Sequence, residues 1–500
     1  MTPSLLIRGL PTSLARDGWW LDAAPPRDPD RQIEFAAAGP PPVLGLVLLI
    51  VFADLLFWDH HLGVSIAVFA IALFTVAMVG TRPLNALWRP MLVLLIACAP
   101  VVDHVQTLSI GFLALGLVFA FVWARCPDMP VATLSALAAA LLRCLPGRWL
   151  SVLNLPRTAQ KIAALRRQAS GPTSRVLIQD WAFPIAGTLV FAALMMQANP
   201  VLARVLDINF DLWAAVSRTL FWIAAAIFIA PFLAPDLPDP ITLPTFVGLP
   251  LARFGLNAAS VLRALSLFNL MIGVQTLTDL SILIGGAALP AGMNFAEYAH
   301  RGAYPLLATA LLAGAFALAA RPFLREHRTI RPLLLLWIAQ NMVLCGAAML
   351  RLEHYIDAFG LTYLRLYALI WMGLVAGGLG LMLWQVITGR SNLWLLARGI
   401  AVGLTTLYVC AFVNFAQVIA AQNLTRPNVD FGYVCDLGPM AGGAVANAKQ
   451  NRPDQLHIVL EQWPCDALHP ISASGWQEWG FRSWQVARYI DEVETGRPVP

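Results

Sequence analysis

Long apolar runs separated by short polar turns make up most of this chain. Runs of lipid length predict spanning helices, because a helix needs about 20 apolar residues to cross a bilayer. Eleven runs qualify, at 43–58, 62–79, 90–102, 109–124, 182–198, 213–233, 261–286, 303–320, 332–350, 366–386 and 399–420. The third is the shortest and meets Pro100. Backbone groups in lipid must bond within their own segment, so helices are the expected spanning form. The predicted fold is an all-α, polytopic membrane bundle of about eleven helices.

Composition agrees with the pattern. Of 500 residues, 59% are hydrophobic and 12% charged. The mean hydropathy is +0.69. That apolar surface has no water-soluble core to hide in. The net charge of +5 sits mostly in short loops, where it orients spans rather than binding nucleic acid. With the N-terminus inside, the inner segments hold 22 basic residues, and the outer loops hold only Arg204, Arg301, Arg351 and Arg365. This asymmetry predicts a cytoplasmic (inner) membrane protein with N-terminus cytoplasmic and C-terminus extracytoplasmic.

Three regions follow. Residues 1–42 form a cytoplasmic arm, either surface-lying or disordered. Residues 43–420 form the bundle, including a basic cytoplasmic loop at 125–180. Residues 421–500 form an outer tail. The loop carries an interfacial helix at 131–145 and a basic helix at 158–168, and anionic lipid is a candidate contact there. The tail holds Cys435 and Cys465, which could join in an oxidising compartment. The other five cysteines read as buried filler.

Polar residues gather in two places. Within spans, Arg218 and Asp279 fall at similar depth and are expected to pair between neighbouring helices, with Asn269, Gln275 and Thr276 near Asp279. At the outer ends lie Asp54, Asp59, His60, His61, Asp103, His104, Asp207, Asp211, Glu297, His300, Arg301, Arg351, Glu353, His354, Asp357 and Arg365. His and carboxylate there are candidate metal ligands or proton carriers. The plainer alternative is that loops are polar because they meet water. No metal or cofactor is predicted. Gly373/Gly377 and Gly399/Gly403 are spaced for close helix approach, within the bundle or at a dimer seam. Asn341, Asn414 and Gln417 read as interhelical glue. Phosphate-loop, zinc-protease and nucleophile-elbow motifs do not occur.

Three stretches carry a resemblance: MNFAEYAHRGAYPLLATALL from Met293, RLEHYIDAFGLTYLRLYALIWM from Arg351 and VNFAQVIAAQNLTRPNVDFGYVCDLGPMA from Val413. Over about residues 260–500 they resemble bacterial multi-span membrane proteins of the DUF4153/DUF4173 type, domains of unknown function. The resemblance implies a polytopic inner-membrane protein with its most characteristic residues at the outer loops. It implies no reaction and no substrate. Those residues also have a physical reading. Gly360 is expected to end a short helix at 356–359 in a left-handed conformation. Thr362 would cap the next helix. Glu297, Arg301, Arg351, Glu353 and Arg365 would form an ion-pair network, either a structural lock or a substrate site. A scaffold or sensory component fits best, with a small-solute permease and a membrane enzyme on lipid or envelope material as alternatives.

Overall fold

The computed structural model describes residues 43–79, 86–152, 212–233, 257–283, 311–451 and 473–495, with isolated positions at 184–195, 309 and 465–469. Among the described residues all regular secondary structure is helical. In chain order the helices are α1 (Val43–Phe57), α2 (Ser65–Met78), α3 (Trp88–Asp103), α4 (Thr107–Arg125), α5 (Val131–Val152), α6 (Leu212–Leu233) and α7 (Ala258–Leu283). An apolar helix α8 (Leu311–Leu324) follows. Then come α9 (Ile330–Phe359), α10 (Tyr363–Thr388), α11 (Asn392–Phe412), α12 (Phe415–Leu424), α13 (Phe431–Asp436), α14 (Gly442–Asn451) and α15 (Phe481–Thr495).

Among the described residues six helices are long and apolar enough to cross a membrane: α4, α6, α7, α9, α10 and α11. Shorter apolar helices include α1, α2 and α8. Most of the expected spans overlap a described helix, but six rather than eleven reach spanning length among the described residues; the run at 182–198 is described only at isolated positions and that at 303–320 mainly from 311 onward. The eleventh expected span, 399–420, is two helices. It breaks at Val413–Asn414, where the Asn414 side chain accepts from the Gln417 N–H and starts α12. The interfacial helix expected at 131–145 is longer and runs through Pro146. The arm at 1–42 and the basic helix at 158–168 lie outside the described residues.

Two compact units are present. One comprises residues 1–58, 69–94 and 117–241, the other residues 59–68, 95–116 and 242–500. In the first, α6 packs on α1 and α5. Phe74 and Phe232 both stack against Phe121, burying an aromatic core with Leu73 and Met78. In the second, α9 packs on α7 and α10. Val261, Leu265, Leu334, Ile338 and Leu379 belong to its buried hydrophobic core. α9 has 30 residues, so at 1.5 Å per residue it is about 45 Å long, more than a hydrocarbon core of about 30 Å. One end therefore projects beyond the lipid, and its last turns carry exposed Glu353, His354 and Asp357.

The tail folds back as a small helical layer. α14 packs on α12 and α15, and Cys435 and Cys465 are joined by a disulfide. Of the other five cysteines, Cys98, Cys126 and Cys345 are buried, whereas Cys144 is exposed and Cys410 half-buried.

The expected left-handed cap sits elsewhere. Gly389, ending α10, has φ +69° and ψ +24°. Gly360 has φ +84° but ψ 168°, so it turns the chain sharply without helical geometry. The short helix expected at 356–359 is the last turn of α9. Thr362 does cap α10, accepting from the Arg365 N–H at 3.4 Å.

The tight contacts predict a contrast between two glycines. A Cβ on Gly442 would lie 2.5 Å from the Ala467 carbonyl oxygen, so Gly442→Ala should cost about 1–3 kcal/mol by overpacking. Gly399 meets nothing within 4 Å among the described residues, so Gly399→Ala should be neutral or raise stability by up to about 1 kcal/mol. Thermal unfolding of the two variants in detergent measures the difference.

Candidate functional site

Helix ends leave their last carbonyls without intrahelical partners. Away from water those oxygens need donors, and a guanidinium offers five N–H groups in a fixed fork. This chain uses arginine for that purpose repeatedly. At the end of α9, Arg426 donates to the Ile356 and Asp357 carbonyls. Arg365 donates to the Phe359 carbonyl at 3.0 Å and to that of Gly360, and lies over the Tyr355 ring. Asn423 completes the clamp. Its side-chain oxygen accepts from the Leu361 N–H at 2.7 Å, and its amide donates to the Leu361 carbonyl at 2.9 Å. Gly360 is required there, because a Cβ would lie 3.0 Å from that Asn423 oxygen.

Arg482 on α15 makes a second clamp in the same unit. It pairs with Asp103 at the end of α3 and donates to the Ala411 and Val413 carbonyls at the end of α11. Gln106 adds a bond to the Ala411 carbonyl. His104 lies beside this group. Burial first, and then the Arg482 charge, push its imidazole below the ordinary value, so it is neutral at pH 7. Nearby, Glu478 accepts from the backbone N–H groups of His61 (3.0 Å) and Ser474 (2.9 Å). Those bonds hold its carboxyl down at about 2.

The end of α10 repeats the device. Arg331 donates to the Ile387 carbonyl at 3.0 Å, and Arg321 to the Arg390 carbonyl and the Asn392 side chain. In the other unit Arg125 donates to the Phe232 carbonyl at the end of α6.

The ion pair expected between Arg218 and Asp279 is replaced by two others. Arg218 binds Asp54 on α1, which also accepts from Trp222. Asp279 binds Arg351 on α9 and accepts from Gln275 at 2.9 Å. Packing decides this: α6 lies on α1, and α7 on α9, whereas depth alone names no neighbour. Asp279 and Arg351 are 1% and 6% exposed, so each depends on the other for its charge to be tolerated. Both pairs join helix ends that strict alternation of spans puts on one side.

Only part of the expected outer network falls among the described residues. Arg351 turns inward to Asp279, while Glu353, His354 and Asp357 face outward from α9. Arg365 is engaged with backbone oxygens and an aromatic ring. Glu297, His300 and Arg301 lie outside the described residues. No group of three or more His, Cys, Asp or Glu with metal-site geometry occurs among the described residues. Gly373, Gly377, Gly399 and Gly403 meet no atom within 4 Å among the described residues. Asn423, Arg426 and Arg482 were missed in the sequence. Asn423 stands in an Asn-Leu-Thr triplet that reads as surface, and the only signal for Arg482 was a basic residue inside an aromatic stretch.

A bundle of lipid-length helices with arginine-clamped ends defines a polytopic membrane protein. The chain belongs to the family described as domain of unknown function (DUF4153), which matches residues 43–448. That match reaches further toward the N-terminus than the motif resemblance did. No curated protein and no solved structure matches the chain.

Removing either member of the buried pair, by Asp279→Leu or Arg351→Met, should cost about 3–5 kcal/mol, and the double variant should recover most of it. Thermal unfolding of the three variants shows whether that coupling is present.

The Glu478 carboxyl sets an acid limit on the contact of His61 with 474–479. Its folded value lies below the ordinary 4.5. The contribution is therefore complete above pH 4.5 and is lost as pH falls through about 2. Unfolding temperatures followed from pH 7 to pH 2 should show this loss, and Glu478→Gln should remove that part of the profile.

Proposed function

We propose that this protein is a structural, scaffold or sensory component of the cytoplasmic membrane. It crosses the membrane eleven times, with the N-terminus inside and the region 421–500 outside. One observation carries the reading. One of the elements that carry the family resemblance, Gly360-Leu361-Thr362-x-x-Arg365, is devoted to ending one helix and starting the next. Thr362 caps α10, and Arg365 saturates the carbonyls ending α9. Polar groups engaged in this way hold a shape and are not offered to a substrate. The disulfide between Cys435 and Cys465 supports an oxidising location for the tail. The ion pairs support the alternation of spans, since each joins helix ends on one side.

A small-solute permease is the second reading. It is favoured by the polar residues along α7 and α9, several of which have buried atoms without protein partners.

Complementation of a deletion strain tests the structural role. Glu353→Gln, His354→Gln and Asp357→Asn, which change exposed groups outside the clamp, should complement fully. Asn423→Ala and Arg426→Ala should lower the amount of protein in the membrane. Loss of complementation by the exposed-group variants at normal abundance would overturn the structural reading. The orientation has its own test. A membrane-impermeant maleimide should label Cys435 and Cys465 in intact cells only after reduction, and no labelling would place the tail inside.

A further inference from the structure

α7 and α9 run parallel, in a register set by three contacts. The Asn269 amide donates to the Leu333 carbonyl at 3.0 Å. Gly273 faces the Gln340 amide nitrogen. Asp279 meets Arg351. On α7, Asn269, Gly273, Thr276 and Asp279 recur at three- and four-residue spacing and form one stripe. On α9, Trp337, Gln340 and Asn341 share a face, and Trp337 touches Phe268 of α7. The two stripes form a seam that runs beside the buried hydrophobic core of the second unit.

Among the described residues, several buried polar atoms of this seam have no hydrogen-bond partner. They are Asn269 Oδ1, Thr276 Oγ1, Gln340 Oε1, Asn341 Oδ1 and Trp337 Nε1. The amide orientations are fixed by the other half of each side chain. Asn269 Nδ2 donates to the Leu265 and Leu333 carbonyls, and Asn341 Nδ2 donates to the Trp337 carbonyl at 2.7 Å. The oxygens are therefore turned away from those carbonyls, and flipping either amide would set oxygen against oxygen. Asn269 and Asn341 are 6% and 1% exposed, so bulk solvent does not satisfy them. Acceptors dominate, so the guest that suits them is a hydrogen-bond donor of small size.

We propose that the α7–α9 seam is an internal water-binding site. Ordered water donates to the oxygens of Asn269, Thr276, Gln340 and Asn341, accepts from Trp337, and leads toward the Asp279–Arg351 pair. Apolar cavities stay dry, whereas polar ones with several partners hold water. The inference stands independently of the structural role proposed above.

The test compares thiol reactivity at matched depth. In a background whose five unbridged cysteines are alanine, Thr276→Cys and Asn341→Cys are set against Leu270→Cys and Leu277→Cys, which lie on the exposed apolar face of α7. The probe is 2-aminoethyl methanethiosulfonate, which reacts with thiolate and so needs water at the sulfur. The seam cysteines should react at least about tenfold faster than the lipid-facing pair. Equal rates in correctly folded variants would overturn the proposal. Hydroxyl-radical labelling of the unaltered protein covers the case in which the cysteine variants fail to fold. Corrected for intrinsic reactivity, Trp337 should be oxidised several-fold more than Phe74 and Phe121, which are buried in an apolar core. Equal labelling would refute a hydrated seam.

Discussion

A carbonyl at the end of a helix, held away from water, must find a donor. Most of the recognisable polar chemistry in this protein answers that requirement. Spanning helices satisfy their own interiors but not their last turns. Here Arg426 and Arg365 serve α9, Arg482 serves α11, and Arg321 and Arg331 attend the end of α10. One guanidinium can satisfy two oxygens and still carry a charge for a carboxylate, as Arg482 does with Asp103. Lysine lacks that planar fork, and this chain uses arginine for nearly all its basic residues.

Arginine thereby serves two ends. Arginines expected on the inner side by the charge count include residues that also fasten helix ends, such as Arg321 and Arg331. Those expected on the outer side fall into two kinds. Arg365 binds backbone, while Arg351 enters the bundle to neutralise Asp279. A count of charges by side treats them alike, although their energetic roles differ. Exposed pairs contribute little, whereas the loss of either Asp279 or Arg351 would strand a buried charge.

The all-helical character and six lipid-length helices among the described residues were legible because apolar runs of lipid length leave few alternatives; the count of eleven was not. The Thr362 cap was legible because a threonine two residues after Gly360 and just before a long apolar run is a local signal. The partners of Arg218 and Asp279 were not, because similar depth in the membrane is compatible with many neighbours. Asp54 also stood at an outer helix end, but only the packing of α6 on α1 selects it. Asn423 and Arg426 act on residues more than sixty positions away, and no local pattern announces that reach. The break at Val413–Asn414 was hidden by apolar composition on both sides.

Arg482 has a consequence for how the molecule is completed. It lies 379 positions after the aspartate it binds. At about 5–20 residues per second, roughly 20 to 75 seconds of synthesis separate the two. Throughout that interval the end of α3 exists without its fastening, and the end of α11, made 69 positions before Arg482, shares the wait only at its close. The last helix to be made supplies the fastening, so a chain truncated just before α15 would retain the apolar helices yet leave both ends open.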